Sequence, residues 1–218
     1  MTQPKSPGKK YATETAAIWQ PGSRNKVLKN KLGIVRLRDM QDAELVAYKN
    51  AEQILISTFS DAHQFRSRDI EFIHKTFLGD IYDWAGKTRS VNISKGGFDF
   101  ASAHAIPSVM HDFEENILAK YTPCTSGPLE EVASAIATVH VELLLIHPFR
   151  EGNGRTARLL ATLMAYQAGF SDIDFSFIKE KGKAYYTYIG AVQDGMDRNY
   201  SRMTKVVLKA LSGASRVK

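Results

Sequence analysis

Apolar residues recur along most of this chain at spacings of three and four, the period of helices with one buried face. From Ala43 to Ile56 the positions Leu45, Tyr48, Glu52 and Leu55 keep that spacing and predict an amphipathic helix. Arg68 to Leu78 predicts a second, with Ile70, Ile73, His74 and Phe77 on one side. The pattern returns over Ile106–Ala119, Leu129–Ile146, Thr156–Gln167, Lys183–Val192 and Ser201–Leu211, and Gly169 stands where a C-terminal cap is expected. The stretch Ser90, Val91, Asn92, Ile93 and Ser94 breaks the period. It lies between Gly86 and Gly96-Gly97 and predicts a short strand, half of a hairpin. Pro21-Gly22 marks a turn, residues 1–20 carry little periodicity, and neither repeats nor a linker divide the chain. The expectation is one mainly α domain with a hairpin.

A chain of 218 residues can bury a sizeable core in one domain. With 44% hydrophobic and 24% charged residues, it has the composition of a soluble globular protein. No apolar run approaches the roughly 20 residues of a membrane span. Met1 to Lys10 is polar and basic, unlike a secretory signal. The single Cys124 excludes an internal disulfide framework and fits a reducing compartment, so a cytoplasmic location is expected. The net charge of +6 comes from Lys and Arg dense at both ends rather than along one helix. That distribution suits solvated termini or an acidic protein partner; nucleic acid is not the expected ligand.

The chemistry concentrates in His147-Pro-Phe-Arg-Glu-Gly-Asn-Gly-Arg-Thr-Ala-Arg158. The preceding helix carries Val132, Ile136, Val139, Leu143 and Ile146 as a buried stripe, and Pro148 ends it at His147. An imidazole on a stiff support at a helix end suits a general base. Phe149 is expected to return to the core. Gly152, Asn153 and Gly154 then open the next helix, whose unpaired backbone amides form an anion pocket, with Asn153 able to add a donor. Arg155 and Arg158 lie three residues apart, within reach of one ligand. Glu151 fits beside an anion only if Mg²⁺ bridges it to phosphate oxygens. His140, seven residues before His147, reads as a core histidine. A zinc site fails on spacing, and Walker and G-x-G-x-x-G patterns are absent. These residues point to an enzyme acting on a nucleotide.

The segment from His147 to Arg158 resembles the signature H-P-F-x-[D/E]-G-N-G-R-x-x-R of the Fic (filamentation induced by cAMP) family at every defined position. Ile81-Tyr-Asp-Trp-Ala-Gly-Lys-Thr-Arg89, Val91-Asn-Ile-Ser-Lys-Gly-Gly97 and Phe100 resemble the approach and β-hairpin flap of that family. Leu28-Lys-Asn-Lys-Leu-Gly33 resembles the start of bacterial Fic toxins. The resemblance implies a Fic fold, a helical bundle with a short hairpin flap, over residues 25–212, between a flexible arm (1–24) and a tail (213–218). It implies AMP transfer from ATP to a Tyr, Ser or Thr hydroxyl of a target protein. In that reading His147 is the base, Phe149 anchors the loop and Glu151 holds Mg²⁺. Gly152, Asn153 and Gly154 form the anion hole, with Asn153 on the α-phosphate, while Arg155 and Arg158 take the outer phosphates. The flap residues Ser90, Val91, Asn92, Ile93, Ser94 and Lys95 would pair with a target strand, with Phe100 and Ile106 clamping its side chain. Residues from Gln193 to Tyr200 are expected to shape the adenine pocket.

The family's inhibitory pattern [S/T]-x-x-x-E-[G/N] does not occur in the 218 residues. The resemblance then implies a toxin restrained by a small antitoxin that supplies the inhibitory Glu. DNA gyrase and topoisomerase IV ATPase subunits are the implied targets. Transfer of another nucleotide or of phosphocholine, and a nucleic-acid-binding or adaptor role with an idle site, are the alternatives.

Overall fold

The computed structural model describes residues 19–95, 98–125, 127–179 and 182–215. Along the chain run α1 (Leu37–Thr58), α2 (Ser67–Leu78), the antiparallel strands β1 (Ser94–Lys95) and β2 (Phe98–Asp99), α3 (Ile106–Phe113) and α4 (Ala119–Tyr121). They are followed by α5 (Leu129–Ile146), α6 (Asn153–Gln167), α7 (Lys183–Asp194) and α8 (Ser201–Leu211). A π-helical turn, Glu114–Leu118, joins α3 to α4 in place of one continuous helix. Most residues of the predicted arm, 1–18, lie outside the described residues, as do Gly96 and Gly97 of the predicted hairpin and 216–218 of the tail.

α5 is the centre of the bundle because apolar and small residues cover most of its circumference. Beyond the predicted stripe, Ala133, Ala137, Val141 and Leu144 are also buried, and α3, α6, α7 and α8 all pack against it. α6 is buried almost continuously from Leu159 to Ala165. It lies against α5, α2 and α1, which fixes the start of α6 relative to the end of α5. At its far end Gly169 takes a φ of +84°, the capping role its position predicted. Before α1, Trp19 pairs with Leu28, and Val27 and Leu28 enter the core.

Two expectations change. α1 begins six residues before Ala43, and Leu45 faces outward at 54% exposure, while Met40, Glu44, Ala51 and Leu55 form the buried line. Glu44 can take an inward place because Tyr82 and Arg155 satisfy its carboxylate. The strand predicted over Ser90–Ser94 forms further along: Ser94 pairs with Asp99 and Lys95 with Phe98. Ser90, Val91 and Asn92 are held otherwise. Val91 gives its carbonyl to Arg89, and Asn92 Oδ1 accepts the Ala103 N–H at 2.8 Å.

Candidate active site

The helix α5 stops where the sequence requires it. Pro148 supplies no N–H for a further turn and crowds the helical conformation of His147, which adopts φ 53° and ψ 57°. A left-handed non-glycine residue costs about 1–2 kcal/mol, so the surroundings must hold it there. They do so at three points. The His147 N–H donates to Leu143 O, and the Arg89 N–H donates to Pro148 O at 2.9 Å. Arg89 Nε donates to His147 O at 2.8 Å. The buried guanidinium of Arg89 also reaches the carbonyls of Val91, Ala101 and Ile146, so a single side chain ties the C-terminus of α5 to both ends of the hairpin segment.

His147 Nδ1 lies 3.1 Å from Leu144 O, which can only accept; Nδ1 therefore carries the proton and the lone pair is on Nε2. Phe100, just past β2, stacks on this ring with centroids 3.8 Å apart. Phe100 thus lies at the His147 ring and on the lining of the cavity described below. Ile106 does not: it is fully buried at the start of α3 and cannot clamp a target side chain.

The loop after His147 is fastened from beneath. Phe149 is buried, as predicted, and stacks on His74 at 3.8 Å. The Gly86 N–H donates to His74 Nδ1, so Nε2 carries the proton and donates to Glu151 O at 2.9 Å. Burial, aided by the nearby Arg155 charge, lowers the His74 pKa to about 3 and keeps the ring neutral. Asn153 is also claimed by the loop. Its Oδ1 accepts the Phe149 N–H at 2.8 Å and its Nδ2 donates to Phe149 O at 2.7 Å. The Asn153 side chain, expected at the α-phosphate, thus clasps the loop from within. Gly152 caps α6 at φ +83°, with no room for a Cβ beside Leu78.

The two motif arginines are held differently. Arg155 donates through Nη1 to Glu44 Oε2 at 2.6 Å and lies over the Phe77 ring. Arg158 lies between the rings of Phe175 and Tyr188, and its buried Nε has no hydrogen-bond partner among the described residues. A cavity of about 510 Å³, within the usual size range of ligand sites, brings the motif together. His147, Glu151, Gly152, Asn153, Gly154, Arg155 and Arg158 line it on one part; Ile178, Tyr185, Tyr186, Tyr188, Ile189, Val192 and Gln193 supply an apolar and aromatic wall. Lys95, Phe98 and Phe100 bring the hairpin to its rim. Ser90 to Ser94 do not line it.

The α7 tyrosines are the residues sequence reasoning missed. It placed the base pocket at Gln193–Tyr200, of which only Gln193 reaches the cavity. The signal was the Tyr-Tyr-x-Tyr run at residues 185–188. A metal fits this site in one way. Among the described residues no three His, Cys, Asp or Glu side chains gather, so an ion at Glu151 must share its ligands with a bound molecule, as Mg²⁺ does at phosphates.

The chain is similar to known proteins across this architecture. The Fic/DOC family is matched over residues 64–165. The protein adenylyltransferase VbhT of Bartonella schoenbuchensis is 33% identical over 66% of this chain and 30% of its own length. A Salmonella typhimurium protein named as a probable protein adenylyltransferase Fic is 30% identical over 65% of this chain and 68% of its own. The chain thus spans about a third of the first relative and about two thirds of the second. The crystal structure of BepC, a VirB-translocated effector of Bartonella tribocorum with bound AMPPNP, shares the fold at a TM-score of 0.68 and 22% identity, covering 88% of this chain and 93% of that one. With the family matched over residues 64–165 and the Salmonella relative 30% identical over 68% of its length, the chain belongs to the Fic/DOC family.

Proposed function

We propose that this chain is a protein adenylyltransferase, moving AMP from ATP to a hydroxyl of a target protein. The observation that carries the reading is one cavity that gathers the His147 imidazole, the N-terminus of α6 and Arg158. The names of the relatives and the AMPPNP in BepC support ATP as the donor. His147 Nε2 takes the proton of the target hydroxyl as its oxygen attacks the α-phosphorus. The bond from that phosphorus to its bridging oxygen breaks, and pyrophosphate leaves. The backbone amides at Gly152 to Gly154 receive the charge that develops on the α-phosphate oxygens. Arg158, joined by Arg155 where Glu44 leaves it reach, neutralises the outer phosphates. Glu151 would hold Mg²⁺, which supplies further charge neutralisation on the phosphates. The aromatic wall of α7 suits a purine ring.

The finer reading has the chain as a toxin held by an antitoxin whose Glu meets Arg158, with topoisomerase ATPase subunits as first targets to assay. It is supported by the sequence resemblance and by the missing inhibitory pattern in these 218 residues.

The direct test incubates the chain with Mg²⁺, bacterial lysate and ATP labelled at the α- or the γ-phosphate. Protein should take up α-label and no γ-label, and His147→Ala should lower uptake by about 10²–10⁴-fold. Uptake of γ-label, or α-label unchanged in the variant, would overturn the proposal.

A further inference from the structure

Behind Arg158 lies a buried chain of hydrogen bonds that the transfer reaction does not use directly. His140 of α5 is 1% exposed. Its Nδ1 lies 3.1 Å from Ala157 O, the carbonyl of the peptide bond that leads into Arg158. That oxygen can only accept, so Nδ1 carries the proton and Nε2 is an acceptor. At 2.7 Å from Nε2 stands the Tyr188 hydroxyl of α7. It must donate, and the Tyr188 ring so held lies under the Arg158 guanidinium, whose Cζ is 5.8 Å from the ring centroid. Each bond has one possible direction. Burial keeps the relay in that state, lowering the His140 pKa to about 4 and raising that of Tyr188 to about 12. Phe175 stacks on His140 and also lies beside Arg158, closing the platform.

We propose that His140 and Tyr188 are positioning residues for Arg158. His140 holds the arginine's own peptide bond on one side and, through Tyr188, its guanidinium on the other, so that the charge meets the outer phosphates of the nucleotide in one orientation. The proposal rests on the reading that Arg158 binds those phosphates. A guanidinium so held loses less freedom on binding than a solvated one. His140 thereby has a reason to be a histidine: its site needs a neutral ring with one donor and one acceptor on opposite edges.

Binding isotherms on the full chain test this with two ligands, AMPPNP and AMP. Tyr188→Phe keeps the ring and removes the relay oxygen. It should weaken AMPPNP by about 5–10-fold, the worth of the one ordinary hydrogen bond that fixes the Tyr188 ring, and leave AMP unchanged. In the Arg158→Ala background the same substitution should have no further effect. Equal losses for both ligands, or an undiminished loss in the Arg158→Ala background, would overturn the positioning role alone. If Arg158→Ala itself leaves AMPPNP affinity unchanged, the phosphate reading fails first and the proposal falls with it. An independent measurement needs no variant: the ¹⁵N shifts of the His140 ring should report protonated Nδ1 and bare Nε2. The opposite tautomer would refute the relay.

Discussion

Gly152 and Gly154 stand two positions apart at the start of α6, and their surroundings differ. Gly152 has φ +83°, and an added Cβ would come 2.7 Å from Leu78 Cδ1. Gly154 is helical, and an added Cβ would meet nothing within 4 Å. Packing and conformation explain the first glycine but not the second. The nucleotide proposed for the cavity, approaching the backbone, would account for the second. Gly152→Ala should therefore destabilise the fold by about 1–3 kcal/mol, from left-handed strain and the clash. Gly154→Ala should raise stability by about 0.5 kcal/mol yet weaken AMPPNP binding at least about tenfold, if the cavity serves as proposed. Denaturant melts and isotherms on the two variants check the contrast; weaker stability in both, with binding intact in Gly154→Ala, would contradict it. In the sequence the two glycines look alike, and only the neighbours brought up by folding separate them. The motif residues His147, Glu151, Gly152, Gly154, Arg155 and Arg158 come to line one cavity because a short continuous stretch carries its own geometry. The clasp of Asn153 was not legible, since its partners, the Phe149 N–H and C=O, lie inside the same turn and offer no pattern to read.

Between elements, α1 and α6 are latched by Glu44 and Arg155, with the Tyr82 hydroxyl donating to the other carboxylate oxygen at 2.7 Å. Glu44 and Arg155 side chains are 11% and 31% exposed, so water competes weakly for the pair. Glu44→Ala should cost about 2–3 kcal/mol of stability by leaving a half-buried arginine and a buried phenol without their acceptor. Thermal melts of Glu44→Ala and Glu44→Gln measure it, and an unchanged midpoint in both would show the latch to be idle. The same pair explains why the edges of α1 were hard to read. A pattern search treats an inward glutamate as a polar break, and its partner lies 111 residues away. The hairpin was displaced for a similar reason, since Arg89, rather than strand propensity, decides what the Val91 carbonyl does. The α7 wall was missed because helical tyrosines become a cavity lining only once α5 and α6 are packed beside them.

Across the molecule, two neutral buried imidazoles couple stability to acidity. His74 and His140 have folded pKa values near 3 and 4, below the usual 6.5. Above pH 6.5 the folded and unfolded chains are alike in leaving these rings unprotonated. As pH falls below 6.5 the unfolded chain binds protons that the folded chain excludes, so stability drops until pH passes the folded values. Each ring contributes a slope of up to about 1.4 kcal/mol per pH unit inside its window. Urea denaturation at intervals from pH 7.5 to 5 should show stability falling on the acid side, before most carboxylates titrate; a flat profile would show that both rings stay accessible. Net charge and composition gave no hint of this, because burial decides it.

Arg89 carries a consequence for how the molecule opens. Its guanidinium is buried, and its hydrogen bonds go to carbonyl oxygens of Val91, Ala101, Ile146 and His147. The hairpin segment cannot swing away while the His147 loop stays put, since either motion strands the same cation in a dry interior. The two should therefore exchange their amide hydrogens with solvent as one cooperative unit, not as a fraying loop beside a rigid one. The surface that would greet a target and the ring that would deprotonate it share a single lifetime.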